Sequence, residues 1–191
     1  MVKADSDSTL SYALLGLIWQ KPCSGYDLRK FFSMTPIRSF SDSPGAIYPA
    51  LRRLEGRKLI RSRIEQKGAK RQRRVFEITS RGRLSFRRWQ NQPIARDDIV
   101  HGTDALMMRF AFTDEFADRA TTLRFLMSFR QQLAAYLTEL RRYLKANRQF
   151  MSVSGRLALE SGMQGYETLF RWTRSALATY QRLAAHPRRE H

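Results

Sequence analysis

The sequence predicts a mainly α-helical chain: three helices and a two-stranded β-wing in the amino-terminal half, followed by long antiparallel helices. Three observations carry this expectation. The chain has 191 residues, 42% of them hydrophobic, enough for one ordinary core or for a small domain with an appendage. Between residues 43 and 79 a helical apolar pattern gives way to two strand patterns separated by a run of cations. Beyond residue 104, large apolar residues recur at heptad spacing through two long stretches.

Residues 1–7 are polar. Ser8 suits the N-cap of a first helix with Leu10, Leu14, Leu17 and Ile18 on its inner side. The run 21–25, Lys-Pro-Cys-Ser-Gly, ends that helix and opens a second from about Tyr26 to Met34, with Leu28 and either Phe31 or Phe32 inward. Residues 39–44 form a turn in which Ser43 resembles an N-cap with Pro44 behind it. In the next helix Ile47, Leu51 and Leu54 fall at i, i+4 and i+7 and share the inner face. Pro49 removes one helical hydrogen bond, which favours a regular helix that starts nearer residues 45–47. Residues 59–66 and 73–79 read as strands joined through Gly68, and five of the eight residues 67–74 are basic. A fourth helix carries Leu84, Phe86 and Trp89, and Pro93 follows its end.

These elements define the expected domains: 1–92 as a winged helix-turn-helix unit, 93–103 as a linker, 104–186 as a helical dimerisation domain, and 187–191 as a tail. A helix opening at Thr113 and running to about Asn147 places Phe116, Leu123, Arg130, Leu137 and Leu144 seven apart, with Leu126, Leu133 and Leu140 between them. A second, from about Arg156 to Ala185, carries Leu159, Met163, Tyr166, Phe170, Leu177 and Tyr180. Two long amphipathic helices with few partners in the chain predict a homodimer; the alternative is that the stripes pack on each other. The assigned dimerisation residues are Phe116, Leu123, Leu126, Leu133, Leu137, Leu140, Leu144, Met163, Tyr166, Phe170 and Leu177.

Charge points to the partner. The formal net charge is +18, and residues 1–92 carry +13 of it. A localised positive field of this size suits double-stranded DNA. Tyr48, Arg52 and Arg53 lie off the inner stripe, where a hydroxyl can reach phosphate and guanidinium groups can reach phosphate or guanine edges. Small or ring-closed Gly45, Ala46 and Pro49 permit close approach, and Ser43 with the first amides offers a helix N-terminus to a phosphate. Lys67, Lys70, Arg71 and Arg73 are the wing cations, and Arg29 and Lys30 are secondary candidates.

Other chemistry finds little support. Cys23 is the sole cysteine, so no disulfide framework forms. Asp97, His101 and Asp104 could share a helix face, but Pro93 and Gly102 interrupt it; no metal and no cofactor is expected. No catalytic triad order or glycine-rich phosphate loop occurs. The apolar run 10–19 is too short to span a bilayer and follows Asp5 and Asp7 instead of a basic stretch, so a cytoplasmic address and no membrane partner are expected.

The blocks Leu14-Leu15-Gly16-Leu17, Ser24-Gly25-Tyr26-Asp27-Leu28, residues 45–55 (GAIYPALRRLE) and residues 75–83 (VFEITSRGR) resemble the PadR family of bacterial transcriptional regulators. Trp89, Gln92-Pro93 and residues 104–110 resemble its branch with a long helical carboxy-terminal domain, like the virulence-gene activators. The resemblance implies a helix after Ser43 in the major groove, a wing along the flanking minor groove or backbone, and repression more often than activation. It also implies relief by a small aromatic effector, for which Trp19, Trp89, Phe125, Phe129 and Trp172 offer walls. Two positions depart from the pattern. Lys58 stands where the family usually has Gly, which favours a helix ending at Gly56, and Phe76 stands where Tyr is frequent. The expected activity is a homodimer on an inverted repeat, one half-site per subunit. A sequence-neutral nucleic-acid binder and a protein-interaction scaffold are the competing readings.

Overall fold

A computed structural model describes residues 8–34, 44–66 and 72–185. Two compact units divide the chain: Met1–Gln92 with Met107–Phe116, and Pro93–Leu106 with Ala117–His191.

The first unit is built on α1 (Thr9–Gln20), capped by Ser8, whose Oγ accepts from the Ser11 amide at 3.3 Å. Residues 11–18 of α1 are all buried, so it is the central helix of the unit rather than one with a single inner stripe. α2 (Gly25–Met34) starts in a reciprocal cap: the Ser24 amide donates to Asp27 Oδ2 at 2.9 Å and the Asp27 amide to Ser24 Oγ at 3.3 Å. Of its two phenylalanines, Phe32 is inward and Phe31 is exposed.

α3 spans Pro44–Gly56, with Ile47, Ala50, Leu51 and Leu54 all at or below 1% exposure. The expected later start is therefore wrong. Pro44 needs no N–H in the first turn, and burial of four apolar side chains outweighs the one bond Pro49 cannot donate. The helix does end at Gly56, yet Lys58 takes the left-handed conformation all the same, at φ 59°. The Leu59 amide donates to Leu54 O at 2.9 Å and the Lys58 amide to Glu55 O at 2.8 Å, with Leu54 and Leu59 buried across the turn. Two bonds and one apolar contact hold a conformation that glycine adopts without penalty. Lys58→Gly is expected to stabilise the protein by about 0.5–1 kcal/mol; an unchanged or lower urea midpoint would contradict this.

β2 (Ile60–Gln66) and β3 (Gln72–Ile78) pair antiparallel from Ile60 opposite Ile78 to Gln66 opposite Gln72. The two-stranded wing gains a third member, β1 (Cys23–Ser24), paired with Phe76 and Val75 in a sheet of order β1-β3-β2. Two residues have no strand periodicity of their own; the free edge of β3 recruits them. α4 (Ser80–Gln90) follows, capped by Thr79, whose Oγ1 accepts from the Gly82 amide at 3.0 Å.

α5 (Arg96–His101) and α6 (Thr103–Ala111) occupy the stretch expected to be linker and its continuation. Ile94 and Ile99 are buried, which a solvated linker would not be. The helix opening at Thr113 stops at once: α7 is Thr113–Phe116, and α8 (Arg119–Asn147) begins anew behind Asp118, whose Oδ1 accepts from the Thr121 amide at 2.7 Å. Phe116 thus lies outside the heptad stripe of α8. It packs in the first unit, 4.3 Å from the Trp19 ring and 5.0 Å from Phe86.

In the second unit a 3₁₀ turn (Arg148–Phe150) joins α8 to α9 (Val153–Ala185), and the two run antiparallel. Phe129 meets Trp172, Tyr136 meets Tyr166, and Arg141 pairs with Glu167 at 2.7 Å. Arg130, the odd member of the leucine seam, lies over the Phe170 ring. Leu126, Leu133, Leu137, Met163 and Leu177 are buried within the single chain, so these five are intramolecular core before any subunit contact. Leu123, Leu140, Leu144, Tyr166 and Phe170 keep partly open surface.

Candidate nucleic-acid interface

With its inner stripe fixed in the core, α3 presents the opposite side outward. Tyr48 is 41% exposed, and Arg52 and Arg53 are exposed without an ion pair among the described residues. Gly45 is exposed, while Ala46 and Pro49 are half-buried. The Tyr48 ring packs against the start of α2: a Cβ on Gly25 would stand 2.6 Å from its Cε1. Glycine there leaves room for the ring beside the helix, while Tyr48 keeps 41% of its surface open. A cleft of about 370 Å³, lined by Gly25, Tyr26, Tyr48, Arg52, Arg73 and Arg74 among others, separates α3 from the wing.

Ser43, Lys67, Lys70 and Arg71 lie outside the described residues. Arg73 is described, and it bridges inward: its Nη1 is 3.3 Å from Asp27 Oδ2 and its Nε 3.5 Å from Glu65 Oε2. It ties the wing to the α2 cap and keeps about a third of its side chain open. Successive strand residues face opposite ways, so Arg74 goes to the other side of β3. There it meets Glu55 at 2.6 Å and lies over the Phe76 ring.

The wing therefore carries more ordered charge than its basic tip suggested. Arg61 and Arg63 on β2 both pair with Glu77 on β3, at 2.9 and 2.6 Å, and Arg63 also reaches Glu65 at 2.6 Å. Hydrogen bonds from Arg63 and then Arg61 hold the Glu77 carboxyl below the usual range. Sequence reading missed Arg61, Arg63 and Arg74. The signal was present in the cross-strand register, where a carboxylate stands opposite an arginine at 61–77 and 65–73.

α4 adds four exposed cations, Arg81, Arg83, Arg87 and Arg88, with Arg83 and Arg87 both lying over Trp19 at 5.7 and 5.4 Å. The residues expected as effector walls pack against other aromatic rings. Trp89 stacks on Tyr12 with centroids 4.7 Å apart, and Trp19 is edge-on to Phe86. Burial, followed by the neighbouring Asp27 charge, pushes the Cys23 thiol up to about 11, so it stays protonated at neutral pH. His101 and Asp97 are exposed, 3.7 Å apart on α5; among the described residues no three metal-binding side chains converge. No helix among them is long and apolar enough to cross a membrane.

The chain matches a family model over this same unit. Residues 14–88 fit the Transcriptional regulator PadR-like family. The curated Negative transcriptional regulator PadR of Bacillus subtilis (strain 168) is 31% identical over 87 residues, covering 44% of this chain and 48% of that protein. The chain therefore matches about half the length of that relative. Among solved structures, Bacillus subtilis PadR in complex with operator DNA is similar at a TM-score of 0.44 and 24% identity, over 92% of this chain and 99% of that one. The same protein in complex with p-coumaric acid gives a TM-score of 0.41 at 23% identity, over 91% and 99%. A PadR-like transcriptional regulator from Bacillus cereus gives 0.39 at 24%, over 90% and 98%. Over residues 14–88, within its winged-helix unit, the chain is similar to the PadR-like family of transcriptional regulators.

Proposed function

We propose that this protein is a sequence-specific, double-stranded-DNA-binding repressor that acts as a homodimer on an inverted-repeat operator. In this reading α3 enters the major groove and the β2–β3 wing lies on the flanking backbone, with no catalytic step. The observation that carries it is the two-sidedness of α3. Its inner stripe is sealed in the core, while Tyr48, Arg52 and Arg53 stand exposed together beside the wing. A helix so anchored can press polar side chains into a groove without moving them. The family supports transcriptional control, and the curated relative's name supports repression. The partly open Leu123, Leu140, Leu144, Tyr166 and Phe170 are the residues left for a second copy. The protein would work in the cytoplasm, on the chromosome. A small aromatic effector, such as the p-coumaric acid bound to the Bacillus subtilis relative, is the ligand class to titrate.

The test is selection of bound sites from random duplex DNA. A symmetric motif with half-sites about one helical turn apart is expected. On that motif Arg52→Ala should weaken binding by roughly 5- to 150-fold, corresponding to about 1–3 kcal/mol for a lost base contact. Tyr48→Phe should weaken it less, and neither should alter the melting temperature. Recovery of random sequence would favour the sequence-neutral reading, and full affinity in Arg52→Ala would remove α3 from the groove.

A further inference from the structure

We infer that Glu55 is the positioning residue that sets the wing against the recognition helix. This rests on α3 and the wing acting together on DNA. Glu55 sits in the last turn of α3, three residues after Arg52. It carries a negative charge on an element otherwise suited to phosphate, which calls for a physical reason.

The reason lies in a closed ring of three side chains. Ser62 Oγ on β2 donates to Glu55 Oε1 at 2.6 Å. Arg74 Nη2 on β3 donates to Glu55 Oε2 at 2.6 Å. Arg74 Nε donates to Ser62 Oγ at 2.9 Å. Each member bonds both others, so one carboxylate on the helix fixes a residue from each wing strand. The ring also has a floor, because the Arg74 guanidinium lies over the Phe76 ring at 5.4 Å and Phe76 is buried. The Ser62 hydroxyl, and after it Arg74, holds the Glu55 carboxyl below its usual range, so the ring is intact at neutral pH.

Two consequences follow for binding. Glu55 and Arg74 of this ring line the cleft between α3 and β3, so the ring sets how far the wing stands from Tyr48 and Arg52. A second clamp, Asp27 to Arg73 to Glu65, ties the same wing to α2. Arg74 is also drawn toward the protein, whereas Arg52 and Arg53 carry no carboxylate partner among the described residues. Arg74 therefore acts through geometry and not as a phosphate contact.

The full chain with Glu55→Ala, Arg74→Ala, the double variant and the exchanged pair Glu55→Arg/Arg74→Glu tests this. Two measurements are needed: affinity for a duplex selected by the wild-type protein over a range of salt, and hydrogen exchange of the β2 and β3 amides without DNA. Each single variant should lose about tenfold in affinity and speed exchange in the wing. The double variant should be no worse than either single one, and the exchanged pair should regain protection. The slope of log affinity against log salt should stay at its wild-type value in Arg74→Ala. Additive losses, a slope reduced by about one, or unchanged wing exchange in Glu55→Ala would each overturn the assignment. If the wild type selects no duplex, the DNA reading fails while the exchange experiment still decides the clamp.

Discussion

Gly82→Ala is expected to destabilise the winged-helix unit by about 3 kcal/mol or more, at the upper end of what overpacking does. A Cβ at this position would stand 2.0 Å from the Leu59 carbonyl oxygen and 2.8 Å from Ile78 Cγ1. The first obstacle is backbone, so no side-chain rotation relieves it. The same oxygen accepts from the Thr79 amide and from Thr79 Oγ1, each at 3.0 Å, and Thr79 Oγ1 in turn caps α4 at Gly82. Moving α4 outward would break that set together. It would also withdraw Phe86, which is fully buried among Trp19, Trp89, Phe112 and Phe116. A thermal melt should show a loss of roughly 10–20 °C for a unit of this size. Gly56→Ala is the control: nothing lies within 4 Å of where its methyl group would stand, and a helix-end alanine should leave the melt unchanged or raise it. A melt of Gly82→Ala within 2–3 °C of wild type, roughly the scatter of small surface effects, would mean that α4 does not approach the sheet this closely.

The first unit was largely legible in the sequence because its signals are local. The i, i+4, i+7 stripe of Ile47, Leu51 and Leu54 is buried as read, and the strands fall within a residue of their expected bounds. What escaped is non-local. β1 exists only because β3 offers it an edge, and Arg74 is turned from the basic tip by a carboxylate nineteen residues upstream. Heptad spacing marks a buried stripe without naming the partner that buries it. Leu126, Leu133 and Leu137 therefore read equally well as subunit contact or as the intramolecular packing they make. Phe116 fell on the same spacing by position alone. Asp118, a ready N-cap two residues later, was the signal that one helix ends and another begins there.

That correction changes where the chain can be cut. A fragment ending at residue 104 follows the expected domain boundary, but it deletes Met108 and Phe112, which are 2% and 5% exposed, together with Phe116. Phe112 fills the notch beside Gly16 of α1, where an added Cβ would stand 2.7 Å from its ring, and Phe116 covers Trp19. Removal of a buried Met or Phe costs about 2–5 kcal/mol each, so losing all three approaches the roughly 5–15 kcal/mol that holds a whole domain together. The fragment 1–104 is expected to be largely unfolded by circular dichroism and to lack dispersed amide resonances. The fragment 1–118 keeps these side chains, and residues 93–106 become a loop whose closure costs little more with length. It should melt cooperatively, run as a monomer in sedimentation, and bind a selected duplex weakly because one half-site is engaged at a time. A folded 1–104 would show that the aromatic core closes without α6 and α7. A dimeric 1–118 would move the subunit contact out of α8 and α9 and into the winged-helix unit, where Arg52 and the wing would then have to be placed by that interface.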